Sequence, residues 1–326
     1  MRGPVRRRRL VSAAGALALA PLVLTSAFAW PDQPIRVVVP FTPGGGPDFI
    51  GRYLAERLSP MLSQPVMVEN MPGASGNIGS QAVARAKPDG LTLMSSVNTL
   101  VMNASLFRTL PYDPVADFAP VGLTAWSSLV LVAHPGQKPG TLAELLALAK
   151  TQPRSIVYAS PGVGTPHHLA MALLEIEGGV ELLHVPYKGS AGAVQDVLSG
   201  QVGFMFMPVQ IATPYIRSGR LKALVVSSPQ RLPQLPDVPT LSEAGLKGVD
   251  VDMWYGLFAP RGTPTDIIDR LNRDINAILS RPDARAAFEA QGLVAATSTP
   301  AAFAEIVARD RTRWAEIVAR RGIQAE

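Results

Sequence analysis

Cysteine is the first residue type that this sequence lacks: none of its 326 residues is Cys. The absence excludes disulfide bonds, thiolate metal ligands, a cysteine nucleophile and a lipid-modified N-terminal cysteine. Charged residues are also sparse, at 17% of the chain, while hydrophobic residues make up 47%. Such a composition is typical of a folded globular protein and excludes an extended disordered chain.

Motifs that identify common enzyme classes are absent too. The sequence contains no HExxH, GxSxG or GxxxxGKS pattern, and the glycines of GASGNIG do not have the GxGxxG spacing of dinucleotide-binding loops. Two of its four histidines, His167 and His168, are adjacent, and adjacent helical residues point about 100° apart, which does not suit a shared metal ion. The residues therefore disfavour an enzyme, a metal site and a nucleotide cofactor.

The N-terminus has the pattern of an export signal. Four arginines, Arg6 to Arg9, precede an apolar stretch from Leu10 to Leu24, and Ala27-Phe28-Ala29 has the small-x-small form of a cleavage site. We expect residues 1–29 to be removed after Ala29, with export by the Sec or the twin-arginine route. The alternative is a retained membrane anchor, which Gly15 and Pro21 disfavour because they interrupt an apolar run that is already short.

Removal of this segment changes what the charge implies. The segment contains five arginines and no acid, and the formal net charge of the whole chain is +5, so the mature chain is predicted to be neutral. The positive charge of the precursor therefore indicates neither nucleic acid nor an anionic membrane as a partner. No further run of about 18 apolar residues follows, which predicts a soluble mature protein.

Strand-like and helix-like patterns alternate along the rest of the chain, which favours an α/β fold. The two halves share one sequence pattern: a strand, a glycine-containing turn, a proline and a helix. Near the N-terminus the strand Ile35 to Pro40 is followed by Gly44-Gly45-Gly46-Pro47 and a helical pattern. In the middle, the strand Ile156 to Ala159 is followed by a glycine-containing turn, a Thr at the N-cap position and a Pro at the first helical position.

Such turns can hold an anion, because the first turn of a helix has unpaired N–H groups and a partial positive charge. The alternative is that the glycines only turn the chain, and each turn taken alone leaves both readings open. Asp48 stands in the first turn of the first helix and would repel a nearby carboxylate unless it points away. A third candidate loop contains Tyr187, Lys188 and Gly189, although a solvated lysine is a simple alternative for Lys188.

Taken together, seven segments resemble the periplasmic solute-binding proteins of tripartite tricarboxylate transporters, the Bug family. In chain order they are PDQPIRVVVPFTPGGGPDFIGR, QPVMVENMPGASGNIGSQAVARAKPDG, SPGVGTPHHLA, HVPYKGSAGAVQDVLSGQV, IRSGRLKALVVSS, LPDVPTLSEAGL and WYGLFAPRGTP. The resemblance implies a two-lobed, type II-like periplasmic binding fold of the Venus flytrap kind, in which each lobe is a mixed sheet flanked by helices. We expect lobe 1 to comprise residues 30–127 and 252–326, and lobe 2 residues 128–251.

The resemblance also implies where a ligand lies, in the cleft between the lobes. Its motifs place ligand-binding residues in lobe 1 at Phe41, Thr42, Gly44, Gly45, Gly46 and Asp48, and Asn98 and Thr99 are further candidates by their position in the chain. In lobe 2 they place them at Ser160, Gly162, Gly164, Thr165 and His168, and further candidates by position are Tyr187, Lys188, Gly189 and Met207. Two positions depart from the family pattern. Thr165 replaces a common Ser and narrows the pocket. Met207 stands where an acid is frequent, which favours a ligand without an ammonium group or a more apolar ligand.

The function implied is capture of a small carboxylate, namely a di- or tricarboxylate, an acidic amino acid or an aromatic acid. A monomer in the periplasm would deliver it to the membrane permease subunits of a tripartite tricarboxylate transporter. We expect no cofactor, no metal and no nucleic-acid partner. A sensory binding protein that presents the carboxylate to a receptor or sensor kinase is the alternative, and a periplasmic enzyme is a remote one.

Overall fold

The computed structural model describes Met1, Gly3 and residues 30–247, 249 and 251–321. The predicted export signal and its cleavage site lie outside the described residues, apart from Met1 and Gly3. From Pro31 onward the described chain forms one unit, which contains two β-sheets. Within the same described ranges, no helix combines the length and the apolar character needed to cross a bilayer.

The strands are β1 Ile35–Val39, β2 Val66–Asn70, β3 Thr92–Val97, β4 Phe118–Ser127, β5 Leu129–Ala133, β6 Val157–Ser160, β7 Leu183–Pro186, β8 Phe204–Pro208, β9 Lys222–Val226, β10 Met253–Pro260 and β11 Val294–Ala295. The helices are α1 Gly46–Leu62, α2 Asn77–Ala84, α3 Thr99–Leu106, α4 Leu142–Thr151, α5 Pro166–Gly178, α6 Ser190–Ser199, α7 Val209–Arg217, α8 Thr265–Leu279, α9 Pro282–Ala290 and α10 Pro300–Arg321. A short 3₁₀ turn, Ala74–Gly76, precedes α2.

Both sheets are mixed. The first has the strand order β11-β4-β10-β3-β1-β2, in which β1 is parallel to β2 and β3 while β10 is antiparallel to β3 and β4. The second has the order β7-β6-β8-β5-β9, in which β6 is parallel to β7 and β8 while β5 is antiparallel to β8 and β9. The predicted α/β architecture of two mixed sheets flanked by helices is therefore confirmed.

The chain passes between the sheets at two places. Ser128 separates β4 of the first sheet from β5 of the second, and the segment between β9 and β10 leads back. Near these crossings the Asn98 amide donates to the carbonyl of Asp252, and the Ser128 hydroxyl lies 3.3 Å from Oδ1 of Asp252. The limits of the two lobes, 30–127 plus 252–326 and 128–251, stay a prediction.

Each sheet has its own apolar core. Around the first sheet, Trp254 and Phe258 of β10 pack against Phe303 of α10, with ring centroids 5.4 Å and 5.1 Å apart. Around the second, Val130, Met205 and neighbouring side chains form a separate buried cluster. Full burial of one large apolar side chain contributes about 1.5–3 kcal/mol, so each cluster holds its strands and helices rigidly behind their loops.

Candidate functional site

A cavity of about 850 Å³ lies where the carboxyl ends of strands from both sheets meet. Its walls include the segments that follow β1, β3, β6, β7 and β8. Ligands of α/β proteins commonly bind beyond the carboxyl ends of strands, and this volume is in the range of small-molecule sites. The cavity is therefore the candidate binding site.

Eleven of the seventeen predicted residues line this cavity. They are Phe41, Thr42, Gly44, Gly45, Gly46, Thr99, Gly162, Thr165, Tyr187, Lys188 and Gly189. The structure thus brings the two glycine turns and the Tyr187 loop together around one space, although the contact of each residue with a ligand stays a prediction.

Six of the described helices begin at the cavity wall. The N-cap or first residues of α1, α2, α3, α5, α6 and α7 line it, namely Gly45, Gly76, Thr99, Thr165, Gly189 and Pro208. Within the part of the chain that the structure describes, a side chain caps only one of these six helices, α5. Uncapped first-turn amides keep their hydrogen-bonding capacity and the positive end of the helix dipole, so this wall favours an anion.

The turn after β1 is held from behind by Asp48, which is only 5% exposed. Its carboxylate accepts hydrogen bonds from the Gly44 N–H at 3.0 Å, from Asn70 at 2.9 Å and from Arg52 at 3.1 Å. Burial alone would raise the pKa of Asp48, but the hydrogen bonds from Arg52, Gly44 and Asn70 outweigh it and lower the pKa below its ordinary value. Asp48 does not line the cavity, so it supports the turn and its charge is paired.

The turn after β6 uses its polar side chains on its own backbone. The Thr165 hydroxyl donates to the Gly162 carbonyl at 2.8 Å and accepts from the N–H of His168 at 3.5 Å. The Ser160 hydroxyl bonds with Nε2 of His184 at 2.7 Å, and Nδ1 of His168 accepts from the Gly164 N–H at 3.1 Å. Burial, with the neighbouring His184, lowers the pKa of His168 to about 3, so its ring is neutral.

Six predicted residues do not line the cavity: Asp48, Asn98, Ser160, Gly164, His168 and Met207. Four of them, Asp48, Ser160, Gly164 and His168, make the internal hydrogen bonds described for the two turns. The amide of Asn98 is fully buried against Asp252. Met207 lies in the middle of the second sheet and is fully buried in its apolar core. The inference drawn from the missing acid at this position therefore does not apply to the cavity wall.

Several residues that the sequence did not predict also line the cavity. The clearest is Ser75, which has a positive φ of 54° and donates its hydroxyl to the carbonyl of Val163 at 2.8 Å. This hydrogen bond joins the glycine-rich turn before α2 to the turn after β6. Gln210 and Tyr255 also line the cavity. The glycines of MPGASGNIG were a visible signal for the Ser75 turn, whereas Tyr255 has no local signal.

Tyr187 and His167 also line the cavity, but the Tyr187 hydroxyl already has a hydrogen-bond partner and the His167 ring is buried. The Tyr187 hydroxyl donates to Asp196, and burial together with this carboxylate raises the pKa of Tyr187 to about 12. His167 is buried, and among the described residues neither ring nitrogen has a partner. Burial lowers the pKa of His167 to about 3, so it contributes no positive charge to the wall. Lys188, by contrast, is exposed and carries a formal positive charge.

Comparison with known proteins adds independent findings. The family described as "Tripartite tricarboxylate transporter family receptor" matches residues 50–323. Protein BugT of Bordetella pertussis is 38% identical over 299 residues, which are 91% of this chain and 92% of that protein. The periplasmic binding protein BugD is 35% identical with a TM-score of 0.85, over 91% of this chain and all of that one.

Several similar structures were solved with a ligand. Rpa4515 of R. palustris, solved with adipate, is 32% identical with a TM-score of 0.86. The match covers 90% of this chain and 99% of that one.

Proposed function

The chain belongs to the tripartite tricarboxylate transporter receptor family, which includes the Bug proteins, and on that premise we propose that it captures a small organic carboxylate and delivers it to membrane permease subunits. The family and its structural neighbours are periplasmic binding proteins, so the chain is a periplasmic solute-binding protein and not an enzyme. The identity of the carboxylate and of the permease belongs to the proposal. The proposal also includes that the protein acts as a monomer and that its signal peptide is removed after Ala29.

One observation carries the proposal: in the described part of the chain six helices begin at one cavity, and a side chain caps only α5 among them. The first-turn amides of α1 and α6, at Gly46 and Ser190, have no intrahelical acceptor and would otherwise be satisfied by water. A carboxylate offers two strong acceptor oxygens and a charge that the helix dipoles stabilise. That the similar protein Rpa4515 was solved with adipate supports this class of ligand.

Selective stabilisation by carboxylates tests the capture step. The purified protein is screened by thermal unfolding against adipate, malate, citrate, glutamate, benzoate and nicotinate. The matched control for adipate is adipamide, which has the same length and no charge. A true ligand at a hundredfold excess over its Kd stabilises the folded state by about 2.7 kcal/mol. Equal effects of adipate and adipamide, or no effect of any acid on a folded protein, would contradict the capture of carboxylates.

Uptake by cells tests the delivery step. A strain that lacks the gene should lose saturable uptake of the radiolabelled acid selected in the unfolding screen, and the native gene should restore it. Unchanged uptake in the deletion strain would refute delivery to a permease while leaving capture intact. Mass spectrometry of any acid released from the protein after purification identifies the natural ligand.

A further inference from the structure

The residues that the structure places at the cavity wall include no acid that could balance a cation. Among the residues that line it in the described part of the chain, none is Asp, Glu or Arg, and Lys188 is the one side chain with a formal charge. Lys188 itself is exposed to solvent. All fixed charge at this wall, from Lys188 and from the helix N-termini, is therefore positive.

Three acids lie near the wall, and each has a partner. Asp48 is paired with Arg52 and accepts from the Gly44 N–H. Asp196 accepts the hydroxyl of Tyr187, whose side chain stands in the wall. Asp252 lies 3.3 Å from the hydroxyl of Ser128 and is not part of the wall. None of the three carboxylates is placed to face a ligand.

The rest of the wall is largely apolar. Phe41, Phe107, Val163, Ile211 and Met253 come from five separate segments, so apolar side chains stand on several sides of the cavity. Water bound against such a surface is displaced favourably by an apolar ligand body, at roughly 25 cal/mol per Å² of apolar area buried. A ligand that fills this space gains most when its body is apolar.

We propose that the ligand is an organic acid with an apolar body and no ammonium group, so that the protein selects a deaminated acid over the corresponding amino acid. This inference rests on the proposed function and narrows its substrate class. An ammonium group entering the cavity would lose its water without gaining a counter-charge, and it would face the positive ends of several helices. A carboxylate on the same molecule gains from both features of the wall.

Three acids that differ by one group each test the inference. Propionate, 3-phenylpropionate and phenylalanine are compared by isothermal titration calorimetry at pH 7, where the amino group is protonated. We expect 3-phenylpropionate to bind at least about tenfold more tightly than propionate, because the ring buries apolar area. We expect phenylalanine to bind at least about tenfold more weakly than 3-phenylpropionate, because its ammonium group is unpaired. Succinate and aspartate form a second pair with the same expected order.

A designed acid tests the cause of the discrimination. Ile211 lines the cavity, is half-buried and stands in the first turn of α7, where a glutamate also suits the helix dipole. Ile211→Glu should reduce the preference for 3-phenylpropionate over phenylalanine by at least about fivefold, through pairing with the ammonium group. Ile211→Gln has nearly the same shape without the charge and should leave the preference unchanged.

Each outcome decides one claim. Phenylalanine or aspartate binding as tightly as its deaminated partner would overturn the inference and leave the proposed function standing. Equal affinity for propionate and 3-phenylpropionate would refute the claim that the cavity favours a ligand with an apolar body. Equal preferences in the Glu and Gln variants would show that the missing acid is not the cause. Failure of all five acids, together with the carboxylates of the unfolding screen, would overturn the proposed function and this inference together.

Discussion

The two glycine turns that face the cavity share a sequence pattern and differ in how they use it. After β1, the polar side chain of the first helical turn, Asp48, points backwards to Gly44, Arg52 and Asn70. After β6, the Thr165 side chain caps α5 and also bonds the Gly162 carbonyl. In the turn after β1, the first-turn N–H groups of α1 stay free of side-chain caps, and Asp48 holds the turn from the side away from the cavity. In the turn after β6, the Thr165 side chain hydrogen-bonds with the backbone of the turn itself.

This difference teaches which helix ends can hold an anion. The second sheet supplies an open N-terminus at α6, after Gly189, rather than at α5, where Thr165 occupies the end. Matching turns in sequence are therefore not equivalent sites. The four substitutions below test this contrast, from the largest expected effect to the smallest.

Gly46→Ala should impair the open turn most. An added Cβ would lie 2.6 Å from Cε1 of Tyr255, whose ring is buried and forms part of the same wall. We expect a loss of about 1–3 kcal/mol in stability through overpacking, and at least about tenfold weaker carboxylate binding. Urea unfolding and calorimetry measure both. Gly45→Ala is the matched control, because its nearest neighbour would be 3.8 Å away; equal effects of the two changes would contradict the steric argument.

Asp48→Asn tests the brace behind the open turn. The change removes the negative charge that accepts hydrogen bonds from Arg52 and from the Gly44 N–H. We expect the free energy of unfolding to fall by about 1–2 kcal/mol at pH 7. Because the folded-state pKa is lowered from 3.8, the stabilisation by Asp48 is present above that pH and is lost as the pH falls through the folded-state pKa.

Urea unfolding of both proteins at pH 7 and at pH 3 checks the sign. The difference in unfolding free energy between native protein and Asp48→Asn should shrink at the lower pH. Asp237→Asn, on an exposed loop, serves as the control and should stay within about 0.5 kcal/mol of the native protein. A difference that grows towards pH 3 would mean that Asp48 does not stabilise the turn as a carboxylate.

Thr165→Val tests the self-satisfied turn. Loss of the N-cap oxygen and of the bond to the Gly162 carbonyl should cost about 1 kcal/mol of stability. Thr141→Val removes the corresponding cap of α4, which does not line the cavity, and should cost about the same. Urea unfolding and ligand titration of the two variants measure stability and affinity. A loss of affinity in Thr165→Val that is much larger than its loss of stability predicts would mean that Thr165 donates a hydrogen bond to the ligand.

Thr42→Val should have the smallest effect on stability. The Thr42 hydroxyl lines the cavity and makes no hydrogen bond to another described residue, so its loss should change the unfolding free energy by less than about 0.5 kcal/mol. Carboxylate affinity should fall by about two- to tenfold, the value of one hydrogen bond. Thr42→Ser, which keeps the hydroxyl, should retain the affinity. If Thr42→Val were destabilised while its carboxylate affinity stayed unchanged, the Thr42 hydroxyl would serve the fold and not the ligand.

The sequence predicted the fold better than the details of the site. The alternation of strands and helices, the proline and threonine at the start of α5 and the glycine turns all have local signatures, and the architecture they indicate is the one observed. Within the site, the glycines that line the cavity were found for the same reason. Asn98, Ser160, His168 and Met207 had the right positions along the chain, yet their side chains turn into the protein.

What the sequence by itself determined is the set of elements and the loops that join them, because helix period, strand pattern and turn chemistry depend on neighbours along the chain. Only the tertiary structure decided which groups remain open to a ligand. Asp48 is turned away by Asn70, 22 residues later, and Ser75 reaches Val163, 88 residues later. Such contacts consume hydrogen-bonding capacity across the fold, and the amides that no distant residue satisfies are those left facing the cavity.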